Sequence, residues 1–287
     1  MNLKSKNSII NENKGVVFVT YPNLEKLDFI NHASSTRIGG VSKISHLAQM
    51  NLRFNSEDTK ETVIQNYKIF ADAIGTDINN MVFSKQMHND NIKIAAESDR
   101  GKGITNDLDY TNIDGLITNK KNVALTIFGA DCVPILFADK NKKAIGAAHC
   151  GWRGTYKELA GIMVEKFKEL YMSNPEDIIV AIAPCIHKCC YEVDKKLFED
   201  FKNKFNNISK TDAFVVKNEK FYLDLPDINR QILLKSGIKS DNILVSDLCT
   251  GCAPDMLFSH RKSNGKRGVM ASVIEIIKYH IISFILC

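Results

Sequence analysis

Two histidines and one cysteine stand where apolar runs of the chain give way to polar residues. They are His88 in Ser-Lys-Gln-Met-His-Asn, Cys132 in Gly-Ala-Asp-Cys-Val-Pro, and His149 in Gly-Ala-Ala-His-Cys-Gly. Strand ends of this kind present side chains to a cleft. Two imidazoles and one thiolate suit Zn²⁺, and three protein ligands leave the fourth tetrahedral position open for water or substrate. On residue type alone, two buried histidines and a buried thiol are the commoner arrangement, because free cysteine is among the most buried residue types.

A second group of cysteines carries a weaker metal signal. Cys249 and Cys252 have the two-residue gap of half a zinc knuckle, and Cys185, Cys189 and Cys190 are candidates for the other half. One Cys-x-x-Cys without a matching second pair is a weak indication of zinc. Reduced, buried thiols are therefore the default interpretation of this group.

The composition predicts a cytoplasmic globular protein. The chain has 287 residues, of which 44% are hydrophobic and 25% charged, enough to bury a sizeable core. The net charge of +5 is spread over many lysines, so we expect no nucleic-acid partner and a mild preference for an anionic substrate. The first residues lack the apolar core of a secretory signal, so the eight cysteines are expected to be reduced.

The elements that must position these residues alternate strands with helices. We expect one α/β or α+β unit, with layered, mixed β-sheets flanked by helices, as a single domain over residues 1–287 and a flexible N-terminus over 1–14. The clearest strands are β-branched or small-residue runs bounded by turns: Ala124–Phe128, Pro134–Ala138, Ala144–Ala148 and Ile178–Ala183. The turn that begins at Asp139 predicts a hairpin between the second and third of them.

Helical spacing predicts a helix over Tyr156–Tyr171, with Thr155 as N-cap and Glu158 completing a capping box. Further helices and a hairpin are predicted: Lys60–Ile74, Lys195–Phe205, Ile228–Ser236, and a hairpin Phe214–Leu225 that turns at Asn218–Lys220. The run Val269–Cys287 is the most apolar, but charges interrupt it and it is barely long enough to span a bilayer. We therefore expect a buried element there and no membrane partner.

Several segments, in order along the chain, resemble the laccase-domain family. This YfiH-type group was once labelled multicopper polyphenol oxidases and is more recently regarded as purine nucleoside phosphorylases; some members are called peptidoglycan editing factors. The resemblance covers about residues 30 to 275 and is carried by these segments: Ser35–Ser42, Gln86–His88, Asp114–Thr118, Ala130–Leu136, His149–Thr155, Pro184–Ile186 with Cys189–Val193, and Phe258–Arg261.

The resemblance implies a YfiH-like fold, which is shared with the deamidase domain of cytotoxic necrotizing factors. It also implies a metal site that matches His88, Cys132 and His149 one for one. The implied activity is phosphorolysis of adenosine, inosine and methylthioadenosine, with some adenosine deaminase activity. The implied partners are a purine nucleoside and phosphate. A zinc ion at such a site lowers the pKa of a coordinated water to about 7 and would supply the nucleophile for C6 of adenine.

Phosphate binding directs attention to arginine, whose guanidinium pairs with phosphate through two parallel hydrogen bonds. Arg153 follows His149 in a glycine-flanked turn that leads into a predicted helix, and it is the first candidate. Arg37, beside Gly39, is the second candidate and Arg261 the third. Ion pairs that stabilise loops remain the alternative for the first two.

Three further polar residues are candidates for catalysis or substrate binding. Asp131, next to Cys132, is a candidate for supporting the metal or protonating the leaving purine. Asp114 stands in an Asp-Gly turn, which is also a common structural dipeptide. Gln86 would share a strand face with His88 and touch the substrate.

Three other functions remain open at this point. Cys132 could be a nucleophile activated by His149, which would make the chain a cysteine hydrolase or deamidase. Copper-dependent polyphenol oxidation is the older family function, but seven scattered histidines without a His-x-His pair do not readily build a laccase centre. A role in editing peptidoglycan precursors concerns physiology, and the sequence does not test it. We expect a monomer or a homodimer that binds zinc, with copper as the alternative metal.

Overall fold

Fifteen strands and five α-helices make up the part of the chain that the computed structural model describes, residues 4–207 and 212–277. The strands are β1 (Ile9–Asn13), β2 (Val16–Thr20), β3 (Ile30–Ser35), β4 (Met81–Phe83), β5 (Ile92–Ile94), β6 (Gly115–Thr118), β7 (Ala124–Gly129), β8 (Val133–Asp139), β9 (Ala144–Cys150), β10 (Ile178–Ile182), β11 (Glu192–Val193), β12 (Phe214–Lys217), β13 (Lys220–Leu223), β14 (Ile243–Val245) and β15 (Met270–Ile276). The helices are α1 (Lys60–Ile74), α2 (Trp152–Tyr156), α3 (Leu159–Tyr171), α4 (Lys195–Lys204) and α5 (Leu225–Lys235).

Two six-stranded mixed sheets form the centre of the fold. The first has the order β1-β2-β3-β15-β7-β4 and the second β14-β10-β8-β9-β6-β5, while β11, β13 and β12 form a small third sheet. Alternate residues of a strand point to opposite faces. In β8, Leu136 therefore packs into the core between the two large sheets, whereas Ile135 and Phe137 face the helices on the other side.

Helices cover the outer faces of both large sheets. Phe70 and other residues of α1 pack on the first sheet, against Val273 of β15. Residues of α3, α4 and α5 pack on the second sheet, where Phe167 lies 6.1 Å from the ring of Phe137. The expected single α+β unit of layered mixed sheets flanked by helices is confirmed.

The strand predictions and most helix predictions are confirmed, but two helix starts are wrong. α5 begins at Leu225, three residues before the predicted Ile228. α1 has the predicted bounds, and β8 and β9 pair as the expected antiparallel hairpin. The helix expected to start at Tyr156 is two helices, because Glu158 adopts a left-handed conformation (φ 61°) between α2 and α3. Thr155 does not cap α3: it lies inside α2, where its hydroxyl donates to the Cys150 carbonyl oxygen.

Both ends of the chain contribute strands to the first sheet. Residues 9–13, inside the segment 1–14 that was expected to be flexible, form β1 and pair with β2. β15 lies between β3 and β7, so the buried element expected within Val269–Cys287 is found over Met270–Ile276. Residues 278–287 of that run lie outside the described residues. Among the helices of the described residues, none is both long and apolar enough to cross a membrane.

Replacing Phe167 by alanine tests how much the contact between α3 and the second sheet contributes to stability. The side chain is fully buried, and we expect the free energy of unfolding to fall by about 3–5 kcal/mol. Urea denaturation followed by circular dichroism measures the change. Glu169→Ala, on the exposed face of the same helix, is the control and should change stability by less than about 0.5 kcal/mol.

Candidate functional site

His88, Cys132 and His149 meet at one end of the two sheets. His149 is the sixth residue of β9, Cys132 lies in the turn that carries the chain from β7 to β8, and His88 lies in the loop after β4. Their ligand atoms lie within 4.8 Å of one another, and Cys132 Sγ is 3.9 Å from His88 Nε2. Two imidazoles and a thiolate at this spacing fit a tetrahedral metal ion with one open position. His88 is not at a strand end as expected, because β4 ends five residues earlier.

Asp114 holds two of these three residues in place from below. Its fully buried carboxylate accepts hydrogen bonds from the backbone N–H groups of Met87, His88 and Asn89, which wrap around it. That wrapping accompanies the left-handed conformation of His88 (φ 60°), which is uncommon for residues other than glycine. Nδ1 of His149 donates to Asp114 Oδ1 at 2.9 Å. This leaves Nε2 of His149 as its ligand atom, an arrangement typical of metal-binding histidines.

Gly151 leaves the space that the cluster occupies. A Cβ at this position would lie 3.1 Å from Cys132 Sγ and 3.1 Å from His88 Cδ2. Real Cβ atoms rarely approach so closely, so alanine would require the two side chains to shift by a few tenths of an ångström. The glycine that follows Cys150 is therefore part of the site.

The polar groups of the cluster shift one another's ionisation. Burial opposes ionisation of Cys132, but the charges and hydrogen bonds of His149 and His88 outweigh it and lower its pKa to about 6. Burial likewise favours neutral His149, but Cys132 and Asp114 raise its pKa to about 9. Burial also opposes ionisation of Asp114, and its hydrogen bonds from His149 and the backbone hold its pKa below the usual value. The thiolate form, which both binds metals and attacks electrophiles, is thus favoured.

A cavity of about 410 Å³ opens above the cluster. The three candidate ligands lie on its floor, and the aromatic rings of Phe54, Phe83 and Phe128 are on its wall, the last two in edge-to-face contact at 4.9 Å. Its size and mostly apolar lining are typical of pockets for small molecules.

Two arginines that sequence reasoning missed, Arg53 and Arg267, line the same cavity. Arg267 is half-buried, and no described residue accepts a hydrogen bond from its Nε. Burial lowers the pKa of Arg267, and the positive charge of Arg53 lowers it further. Two guanidinium groups at one pocket, one of them with an unpartnered buried N–H, are suited to an anion. No motif marked either residue, and the convergence depends on the fold.

Gln86 lies in the cavity wall, as expected, but in a loop instead of a strand. Its side-chain amide continues the edge of β7: Nε2 donates to the Phe128 carbonyl oxygen and Oε1 accepts from the Phe128 N–H. Oε1 also accepts from Ser84. The strand assignment was wrong because β4 ends at Phe83, whereas contact with substrate stays a prediction.

The structure does not bring Arg37 or Arg153 to the cavity. Arg37 donates to the carbonyl oxygens of Ala48, Pro254 and Ser45, and its guanidinium lies 4.7 Å from the ring centre of Phe258. It therefore joins loops. Arg153 is exposed, with its guanidinium 4.2 Å from the ring centre of Trp152. Neither arginine lines the cavity of the three candidate ligands.

Asp131 and Arg261 are joined to each other beside the site. One carboxylate oxygen of Asp131 accepts from the Thr250 hydroxyl at 2.6 Å, and the other accepts from the Arg261 N–H at 2.7 Å. The Arg261 side chain donates to the Glu192 carbonyl oxygen. Asp131 thus fixes the turn that carries Cys132, and its proposed proton transfer stays a prediction.

Asp114→Asn should weaken metal binding, although the variant retains all three candidate ligand residues. Asparagine has one acceptor oxygen where aspartate has two, so its N–H₂ group would face a backbone N–H or Nδ1 of His149. We expect the metal affinity to fall about 10–100-fold. Competition with a chromophoric chelator measures it. Asp90→Asn, in the same loop, removes a carboxylate that pairs with Lys157 and touches none of the candidate ligands, so it should keep the parent affinity. Equal affinities for all three proteins would contradict the role of Asp114.

Fold and site together define an α+β enzyme of mixed sheets with a candidate metal centre. The profile of the family described as multi-copper polyphenol oxidoreductase laccase matches residues 31–277, and the chain belongs to this family. The purine nucleoside phosphorylase YlmD of Bacillus subtilis is 37% identical over 244 residues, 84% of this chain and 86% of that protein. The adenosine deaminase RL5 of an unknown prokaryotic organism is 29% identical over 248 residues, 83% of this chain and 93% of that protein.

Solved structures show the same fold. The crystal structure of YlmD from Geobacillus stearothermophilus superposes with a TM-score of 0.84 and 30% identity, covering 94% of this chain and all of that one (100%). The resemblance to the YfiH-type family predicted from the sequence is confirmed.

Proposed function

We propose that this chain is a zinc-dependent purine nucleoside phosphorylase that converts adenosine, inosine or methylthioadenosine and phosphate to the free base and the ribose 1-phosphate, with adenosine deaminase as a second activity. The observation that carries the proposal is one cavity lined by three candidate metal ligands and by two arginines. Relatives named for both activities support it.

The cavity offers separate places for the two substrates. A purine is flat and apolar on its faces, so it suits the wall formed by Phe54, Phe83 and Phe128. Phosphate suits Arg53 and Arg267, where an oxygen would accept from the unpartnered Nε of Arg267. Binding both reactants in one cavity aligns them for reaction.

In phosphorolysis, a phosphate oxygen forms a bond to C1′ as the bond from C1′ to the purine nitrogen breaks, and the base leaves with the electron pair and then takes up a proton. The arginines orient the phosphate, and the apolar wall excludes water that would hydrolyse the same bond. In deamination, water adds to C6 and ammonia leaves. Bound zinc would supply a Lewis acid for both reactions.

Zinc fits the donor set better than a laccase copper centre. His88, His149 and Cys132 match the three ligands of a catalytic zinc site. A laccase needs a mononuclear and a trinuclear copper centre, which together require many histidines. Among the described residues, His88 and His149 are the histidines that lie in a candidate metal-binding group. Metal analysis of the purified protein by mass spectrometry tests zinc against copper.

The activity test is to incubate the zinc-loaded protein with adenosine and phosphate and to separate the products by chromatography. Adenine with ribose 1-phosphate reports phosphorolysis, and inosine reports deamination. Leaving phosphate out should abolish adenine and keep inosine. If the zinc-loaded protein forms none of the three products, the proposed function is wrong.

We also infer a cytoplasmic location, since seven described cysteines are free thiols.

The second candidate function is that of a cysteine hydrolase or deamidase, with Cys132 as the nucleophile and His149 as its base. Cys132, His149 and Asp114 form a thiolate, base and orienting carboxylate, which is the arrangement of cysteine hydrolases. This function needs no metal. Activity that survives metal removal but is blocked by alkylation of Cys132 would favour it over the proposed function.

A further inference from the structure

Four cysteines form a second group, separate from His88, Cys132 and His149. Cys189 and Cys190 lie between β10 and β11, and Cys249 and Cys252 lie in the loop after β14. Their sulfur atoms all lie within 4.8 Å of one another. The sequence favoured separate buried thiols and counted Cys185 as a candidate partner, but the structure leaves Cys185 out of the group.

The sulfur spacing fits one tetrahedral ion. Cys189 Sγ lies 3.5 Å from Cys249 Sγ and 3.4 Å from Cys252 Sγ, and Cys190 Sγ lies 3.5 Å from Cys252 Sγ. With Zn–S bonds of about 2.3 Å, the sulfurs of a tetrahedral site are about 3.8 Å apart. A disulfide joins one sulfur to one partner at about 2.05 Å. Here Cys189 and Cys252 each contact two sulfurs, which a pair of disulfides does not explain.

Two tight turns deliver the cysteines to this spacing. In the first, the N–H groups of Cys190 and Tyr191 both donate to the His187 carbonyl oxygen. In the second, the N–H groups of Cys252 and Ala253 both donate to the Cys249 carbonyl oxygen. Each turn therefore presents its cysteines on one side, as the knuckles of zinc sites do.

Main-chain contacts fasten the two turns together. Cys185 and Cys249 form a parallel β-bridge, and the Thr250 N–H donates to the Cys185 carbonyl oxygen at 2.9 Å. The His187 N–H points at Cys249 Sγ at 3.5 Å, a contact that stabilises a thiolate. Gly251 allows the approach, because a Cβ there would lie 2.7 Å from Cys190 Cβ.

We propose that Cys189, Cys190, Cys249 and Cys252 bind one Zn²⁺ ion in a structural site distinct from the candidate active site. Four protein ligands close the coordination sphere, which is the mark of a structural zinc. A multinuclear iron–sulfur cluster would hold the four sulfurs farther apart than a single ion does.

The ion would hold the wall of the active site in place. Thr250, inside the Cys249–Cys252 turn, donates to Asp131, which precedes Cys132. Asp131 also binds the N–H of Arg261. Zinc at the four cysteines therefore fixes both the segment that leads to Arg267 and the turn that carries Cys132.

Zinc content measured by inductively coupled plasma mass spectrometry separates the two sites. We expect the double variant Cys189→Ser/Cys252→Ser to hold one zinc ion fewer per chain than the parent, and Cys132→Ser to lose a different one. Cys185→Ala, a buried thiol next to the cluster, is the matched control and should keep the parent content. If the active site binds no zinc, the parent holds one zinc ion per chain instead of two. The double variant should then still hold one ion fewer than the parent.

A second measurement uses the parent protein and so does not depend on how the variants fold. Cys189 and Cys252 are exposed, yet zinc should protect them from iodoacetamide, and a chelator should make them reactive. In the cobalt-substituted protein, Cys132→Ser should keep the thiolate-to-cobalt charge-transfer absorption and the double variant should lose most of it. Four results would each overturn the proposal: equal alkylation with and without zinc, an unchanged zinc content in the double variant, a disulfide within the group, or iron bound at these thiols.

Discussion

Replacing Cys132 by serine is expected to lower kcat/KM for both phosphorolysis and deamination about a thousandfold or more. A serine hydroxyl is a poor zinc ligand, so the two remaining imidazoles would hold the ion weakly. Loss of a bound metal removes several kcal/mol of transition-state stabilisation, and about 4 kcal/mol corresponds to a factor of a thousand. Product chromatography and zinc analysis of the same sample measure the two losses together.

Cys150→Ala is the matched control for this variant. Cys150 is the next residue after His149 and is fully buried, but its sulfur is not part of the ligand group. We expect this variant to keep its zinc and most of its activity, with a modest loss of stability. Full activity of Cys132→Ser would contradict the proposed function. If the parent protein is active without bound metal and Cys132→Ser is inactive, the result would favour the cysteine-hydrolase alternative.

The sequence predicted those elements whose signals are local. α1 begins after Thr59, whose side chain accepts from the Thr62 N–H, and ends at Gly75 in the left-handed conformation. Cap signals of this kind are legible in the sequence. The hairpin of β8 and β9 was equally clear, because two apolar runs flank a short turn.

The predicted start of α3 was wrong because tertiary contacts engage the expected N-cap residue, Thr155. The Thr155 hydroxyl donates to the Cys150 carbonyl oxygen and accepts from Asn229 of α5, so it is not available to cap a helix. Asn229, which donates to this hydroxyl, lies 74 residues away along the chain. Local spacing contains no information about such a competitor.

The residues of the candidate site likewise fall into those that the sequence indicated and those that only the fold brings together. The sequence singled out the three candidate metal ligands because residue type limits the choice to histidine and cysteine, and because the family motifs contain them. Arg53 and Arg267 were missed because arginine is common on surfaces and neither stands in a motif. They line one cavity because the loop before α1 and the segment before β15 meet beside β7, which only the sheet order reveals.

Replacing Arg267 by alanine is expected to raise the KM for phosphate about 10–100-fold. The bound phosphate would lose its charge-assisted hydrogen bonds from the guanidinium, each of which contributes about 1.5–3 kcal/mol. About 1.4 kcal/mol corresponds to a tenfold change in affinity. Initial rates of adenine release at varied phosphate measure the effect. Arg53→Ala should act in the same direction with a smaller effect, because Arg53 is more exposed.

Deamination in the same variant is an internal control, because water and not phosphate is its second reactant. Arg267→Ala should therefore keep nearly the parent kcat for inosine formation, whereas a variant that merely misfolds loses both reactions. Arg267→Lys keeps the charge but not the forked geometry, so its phosphate KM should lie between those of the parent and the alanine variant. Arg153→Ala distinguishes the two assignments of the phosphate site: a rise in phosphate KM there, with none in Arg267→Ala, would return the role to the arginine that follows His149.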